Sequence, residues 1–216
     1  LATGKPVIFV LMTGSAVGLE WEDRNVPAII NAWYAGQAGG DAVADVIFGD
    51  YNPAGRLPVT FYRSVADLPD FEDYSMEGRT YRYFKGKPVY AFGHGLSYTD
   101  FNYSDLKVSR LGDGSLKVVV KVTNAGKRDG DEVVQLYLSN DRKFRTPIRS
   151  LKGFDRISLK AGESVDVVFT VAPDELTVVD QKGVSVPMKG WITVSVGGGQ
   201  PGYASDCLMT EVNYRR

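Results

Sequence analysis

A chain of 216 residues, 44% hydrophobic and 24% charged, carries enough apolar material for one or two folded domains. Its net charge of −1 supplies no field to gather nucleic acid or an anionic membrane surface, and its longest apolar run, residues 6–12, is far too short to cross a bilayer. The single cysteine, Cys207, excludes an internal disulfide and fits either a reducing or an oxidising compartment.

In chain order, the opening Leu-Ala-Thr-Gly-Lys-Pro reads as the tail of a helix leading into a strand, so the chain is expected to be a piece of something longer. Residues 7–12 (VIFVLM) form a continuous apolar run, the pattern of a strand covered on both faces. After a Thr13-Gly14-Ser15 turn, residues 28–34 (AIINAWY) are a second β-branched and aromatic run, entered through Pro27 and closed by Gly36. Residues 41–48 then place Ala42, Val43, Val46 and Ile47 on one helical face, with Asp41 as candidate N-cap and Gly49 as the stop. A short apolar strand is expected over residues 57–61. Strand, connection, strand, helix and strand within about sixty residues argue for βα units on a parallel sheet. Three strands leave faces and edges uncovered, so the rest of that sheet is expected before Leu1.

Residues 63–78 are polar and acidic without a period and read as a surface loop. Residues 79–84 (RTYRYF) alternate as an extended piece does, residues 88–92 give another, and Gly93-His94-Gly95 is a tight turn. From about Phe101 the pattern is all-β, with strands expected over 106–110, 116–122, 133–139, 151–159, 165–171 and 191–196. Val118, Val120 and Val122 point one way and Lys117, Val119 and Lys121 the other. Turns are written at Gly112-Asp113-Gly114, Asn124-Ala125-Gly126, Ala161-Gly162 and Gly197-Gly198-Gly199. Short strands at this spacing, with no cysteine pair between sheets, indicate an immunoglobulin-like sandwich of the fibronectin type III kind.

AWYAGQAGG (residues 32–40), ADVIFGDYNPAGRLPVTF (44–61) and YAFGHGLSYTDFNY (90–103) resemble, in order, runs of glycoside hydrolase family 3, whose β-glucosidases and relatives carry such wording at the end of their second domain. The resemblance implies retaining hydrolysis of β-glycosides by two carboxyl groups about 5–5.5 Å apart, one a nucleophile and the other an acid/base. In that family the nucleophilic Asp lies in an N-terminal barrel domain. The acid/base Glu lies in the second domain, ahead of the strand that residues 7–12 resemble. Neither position falls in this chain, so no residue of it is expected to be catalytic.

Other candidates are weighed on their own chemistry. Glu20, Glu22 and Asp23 surround Trp21 after the first strand, where open α/β sheets bind ligands; the plainer reading is a solvated helix start, with Trp21 at the rim of a sugar site. His94 has no second histidine to share a metal and no partner nucleophile, and reads as a turn residue. Ser15 lacks a Gly-x-Ser-x-Gly elbow and a base. Gly36-Gln-Ala-Gly-Gly is short of a dinucleotide fingerprint, and Gly197-Gly198-Gly199 precedes no helix. The strip RTYRYF suits sugar or RNA stacking, or an edge strand against a neighbouring domain.

The expected architecture is therefore the C-terminal part of an α/β sandwich domain (residues 1–62), a linker and wrapping segment (63–100) and a fibronectin type III-like domain (101–216). The expected function is that of the C-terminal portion of a β-glucosidase, forming active-site wall and brace, without cofactor or metal. Its partners would be a β-linked glycoside and the missing barrel domain, with nucleic acid and membrane excluded and oligomeric state open. A periplasmic or secreted setting is favoured over a cytoplasmic one. The alternative is a stand-alone non-catalytic module that binds carbohydrate or protein.

Overall fold

The computed structural model describes residues 1–140, 146–180, 182–204 and 206–214. Strands β1 (Ile8–Leu11) and β2 (Ala28–Asn31) lie parallel, paired from Ile8↔Ala28 to Leu11↔Asn31, with helix α1 (Glu20–Asn25) in the crossover. The second run is shorter as a strand than as a sequence pattern, because Trp33 turns into the left-handed region (φ 53°) and ends the extended backbone. Helix α2 (Gly39–Phe48) begins two residues earlier than expected. Its N-cap is Ala38, without a side-chain cap bond, and Asp41 sits within the first turn, where the dipole still favours its charge. Gly49 does stop the helix, with φ 81° and its N–H on the carbonyl of Val46.

The third strand expected over 57–61 does not join β1 and β2. Pro58 has no N–H to give a ladder, and these residues pair irregularly with 89–94 instead. Leu57 N donates to His94 O (2.9 Å), Gly93 N to Leu57 O (2.7 Å) and Phe61 N to Tyr90 O (2.9 Å). RTYRYF is likewise not extended. It forms a single helical turn, α3 (Thr80–Tyr83), entered through Gly78 (φ 71°) and Thr80 (φ 56°), whose N–H is held by the Tyr62 hydroxyl (2.7 Å). Six alternating residues are too few to separate a strand from one turn of helix.

The rest is antiparallel. It comprises β3 (Phe101–Arg110), β4 (Leu116–Asn124), β5 (Gly130–Asn140), β6 (Ser150–Leu159), β7 (Ser164–Val171), β8 (Thr177–Val179), β9 (Ser185–Pro187), β10 (Gly190–Gly197) and β11 (Leu208–Tyr214). One sheet runs β11-β10-β5-β6 and the other β3-β4-β7, with β8-β9 a small hairpin. An α/β arm followed by an all-β sandwich is thus the architecture that the hydrophobic periodicity implies.

Val118, Val120 and Val122 of β4 turn inward onto Leu136 and Leu138 of β5 and Ile192, Val194 and Val196 of β10, all essentially inaccessible to solvent. The bulge in β3 between Ser104 and Lys107, with Asp105 at φ 55°, moves the inward parity from Phe101 and Tyr103 to Leu106 and Val108. That parity change hides the first half of the strand from an alternation count. β11 also alternates, Leu208 and Val212 inward against Met209 and Glu211 outward, but Thr210 and an exposed Met209 blunt the contrast.

The outward face of the four-stranded sheet is not free. Tyr81 of α3 stacks on Phe92 (4.2 Å between centroids) and stands edge-on to Tyr137 of β5 (6.1 Å). Leu151 N donates to the Tyr81 hydroxyl (3.1 Å), and Ile148 N to the carbonyl of Arg82 (2.7 Å). Segment 79–95 is thus a strap over Gln135 and Tyr137, both buried, on the outward face of this sheet.

Candidate functional site

Two places carry concentrated polar chemistry. The first is the carboxyl end of β1 and β2. Trp21 stands on α1 and is 60% exposed. The acids around it are mostly engaged in holding the helix: Glu20 pairs with Arg24 (2.5 Å) and with Arg63 (3.1 Å), and Asp23 accepts the Tyr90 hydroxyl (2.7 Å). Burial and the neighbouring Asp23 push the Tyr90 phenol well above its ordinary range, so it stays a donor. Trp33 packs edge-on against Phe61 (6.2 Å), and the buried side-chain nitrogen of Asn31 has no hydrogen-bond partner among the described residues. This end of the α/β arm therefore has one exposed indole, Trp21 on α1, and one buried donor, Asn31 at the end of β2, without a partner among the described residues.

The second place is the joint between arm and sandwich, built by the residue runs that carry the resemblance. Arg56 reaches across to Glu132 at the start of β5 (2.7 Å), and both side chains are buried. Arg56 also donates from Nε to Gly198 O (3.1 Å) and from Nη1 to Ala54 O (3.1 Å), while Tyr103 donates its hydroxyl to the other Glu132 oxygen (2.9 Å). Burial raises the Glu132 carboxyl above its usual range; Arg56 and the Tyr103 bond pull it back. Beside it, Gln135 donates to the carbonyls of Gly93 (3.1 Å) and Gly198 (3.0 Å) and accepts the Tyr137 hydroxyl (2.7 Å). Asn52 accepts from Tyr98 N (2.7 Å) and Ser97 Oγ (3.0 Å) and donates to Asp129 O (3.0 Å), and Tyr98 donates to Val46 O at the end of α2 (2.6 Å).

Backbones meet closely here. A Cβ on Gly95 would collide with the Gly55 carbonyl oxygen and lie 3.0 Å from Arg56 Cδ. Gly95→Ala is therefore expected to destabilise the protein by about 1–3 kcal/mol, read as a lowered urea midpoint. Gly112→Ala, where nothing lies within 4 Å, is the matched control.

His94 is the last residue of a turn closed by its N–H on Ala91 O (3.1 Å), and its ring stacks on Tyr90 (5.1 Å). Burial, then the charge of Arg56, holds the imidazole below its ordinary range, so it is neutral near pH 7. Cys207 is half-buried, and burial and then Asp206 push its thiol up to about 11, which makes it a poor nucleophile. Among the described residues no group of three His, Cys, Asp or Glu side chains comes together to hold a metal.

Sequence reasoning placed Trp21 and His94 but missed Arg56, Glu132 and Gln135. The signal for Glu132 was present: it occupies the inward parity of the series Glu132-Val134-Leu136-Leu138, and a carboxylate there demands a buried partner.

With this geometry in place, comparison with known proteins is direct. Residues 1–98 match the glycosyl hydrolase family 3 C-terminal domain, and residues 132–200 match a fibronectin type III-like domain. A xylan 1,4-beta-xylosidase of Xylanibacter ruminicola is 49% identical over 176 residues, 81% of this chain and 20% of that protein. A periplasmic beta-glucosidase of Salmonella typhimurium is 43% identical over 197 residues, covering 84% of this chain and 26% of its own. The structure of beta-glucosidase 3B from Thermotoga neapolitana in complex with alpha-D-glucose superposes with a TM-score of 0.89 at 34% identity, covering 100% of this chain and 32% of that one. The chain thus spans a fifth to a third of the length of these proteins.

Proposed function

From the premise that this chain belongs to glycoside hydrolase family 3, as the C-terminal portion of such a protein, we propose that the parent is a retaining β-glycosidase that removes terminal β-D-glucosyl residues. Residues 1–62 form the end of its α/β domain and part of the active-site wall, with Trp21 at the rim of the sugar site. Residues 63–100 wrap between the domains, and residues 101–216 brace them. The two carboxyl groups that break the glycosidic bond lie outside this chain, in a barrel domain and in the earlier part of the α/β domain.

The observation that carries this proposal is the two-stranded parallel sheet. The sheet and the helix after it leave Ile8, Met12, Tyr34 and Phe48 exposed, large apolar side chains that a self-sufficient domain would bury. The same exposure, and the strap over the sandwich's outer face, count against a stand-alone binding module. A second specificity, for terminal β-D-xylosyl residues, is favoured by the xylosidase name of the 49% identical relative. A periplasmic or secreted setting is supported by the name of the Salmonella relative. Among the described residues no helix is long and apolar enough to cross a membrane.

The test uses p-nitrophenyl β-D-glucoside and β-D-xyloside. The full-length protein is expected to turn over at least one of them with retention at the anomeric carbon, read by proton NMR, while the 216-residue chain releases no nitrophenol above buffer. Turnover by the chain alone at the full-length rate, or inversion by the full-length protein, overturns the proposal.

A further inference from the structure

The joint carries an open cleft of about 840 Å³, lined by Arg56, His94, Glu132, Gln200, Tyr203 and Asp206 among others. Cavities of roughly 300–1,000 Å³ at domain junctions, with a few converging polar groups, are the usual setting of small-molecule sites. Gln200 is 4% exposed, and its Oε1 has no hydrogen-bond partner among the described residues. A buried acceptor left unmatched costs on the order of 1–3 kcal/mol, so it points to something that donates to it. Gly198 keeps the wall open: a Cβ there would fall 2.5 Å from Glu132 Oε1 and 3.0 Å from Asp206 Oδ2.

Charge narrows the ligand. Arg56 and Glu132 neutralise each other, His94 is neutral near pH 7, and Asp100 and Asp206 remain as lining carboxylates with no salt bridge among the described residues. The free groups are thus acceptors, which turn away anions and favour a donor-rich molecule. Tyr203 lines the same wall with its hydroxyl on Gly86 O (3.1 Å) and the Arg149 guanidinium over its ring (5.8 Å to the centroid), so it adds no free polar group. The several hydroxyl donors of an uncharged sugar ring match that set of acceptors.

We infer that this cleft is a binding site for a neutral saccharide of one or two rings. The inference does not depend on the proposed hydrolytic activity, and failure of that activity would appear in the nitrophenyl assays instead.

The test is a titration of the full-length protein, segmentally ¹⁵N-labelled over these 216 residues, with glucose, cellobiose and xylobiose, with inorganic phosphate as the control. Saturable shifts are expected at the amides of Gly95, Gly198, Gly199 and Gln200 with at least one sugar, and at none of them with phosphate. Q200L and D206N are each expected to weaken that sugar at least tenfold. Because Asp206 is partly exposed, D206N keeps the test valid if Q200L fails to fold. Soaking the same sugars into crystals of the full-length protein supplies a second readout. No saturable shift with any sugar, unchanged affinity in D206N, or phosphate bound in preference to sugar overturns the inference.

Discussion

Replacing Arg56 with methionine is expected to lower the unfolding free energy at pH 7 by about 3–5 kcal/mol, because it strands the Glu132 carboxylate in a buried site. Arg56 also gives up bonds to the carbonyls of Ala54 and Gly198, so the arm and the sandwich lose their main polar link together. The loss should depend on pH, and its sign follows from Glu132. Burial already raises that carboxyl in the folded protein, and removing the guanidinium removes one of the two groups that oppose the rise. A group whose folded pKa lies above its unfolded value contributes fully below the unfolded value and loses that contribution as pH climbs through the folded one. The variant's deficit should therefore be larger at pH 7 than at pH 4, where Glu132 can take up a proton instead of remaining stranded. Urea denaturation at both pH values checks this, and a deficit that grows on acidification would contradict it. The double replacement R56M/E132L should recover most of the loss, since a buried pair exchanged for apolar groups of similar size is often close to neutral.

Leu136→Ala is expected to cost about 2–5 kcal/mol, the range for deleting a buried leucine side chain from a core that cannot collapse around the gap. Leu136 is fully buried between β4 and β10 and belongs to the inward series of β5. Val168→Ala on β7 is the control: Val168 is 51% exposed, so its replacement should stay within about 0.5 kcal/mol. The two variants also separate core from joint. Leu136→Ala should weaken the sandwich while leaving the Arg56–Glu132 link intact, so its deficit should be the same at pH 4 and pH 7. A pH-dependent deficit in Leu136→Ala would mean that core and joint are not independent in the way their separate contacts imply.

The sandwich was legible in the sequence where one face of a strand is apolar and the other charged. β4 is the clearest instance, with Val118, Val120 and Val122 inward against Lys117 and Lys121. Alternation needs only the two-residue period of the strand, and no knowledge of what the strand packs against. The same signal failed where a local event broke the period: at the β3 bulge around Asp105, and in β8 and β9, which have three residues each. The stop of α2 at Gly49 was legible for a similar reason, since a left-handed residue after an apolar helical run is a local requirement. The absence of a strand at residues 57–61 was not, because it depends on a partner about thirty residues away that takes up those hydrogen bonds.

By itself, the order of residues determined the two-part architecture, the resemblance to family 3 and the exclusion of a membrane-crossing run, all of which follow from local period and composition. Only the tertiary structure decided what the resembling runs do. Arg56, Asn52 and Gly95 lie 76, 77 and 40 residues from their respective partners Glu132, Asp129 and Gly55. Buried polar groups must find partners wherever the fold brings them, and neither a two-residue nor a 3.6-residue period records a pairing across such distances.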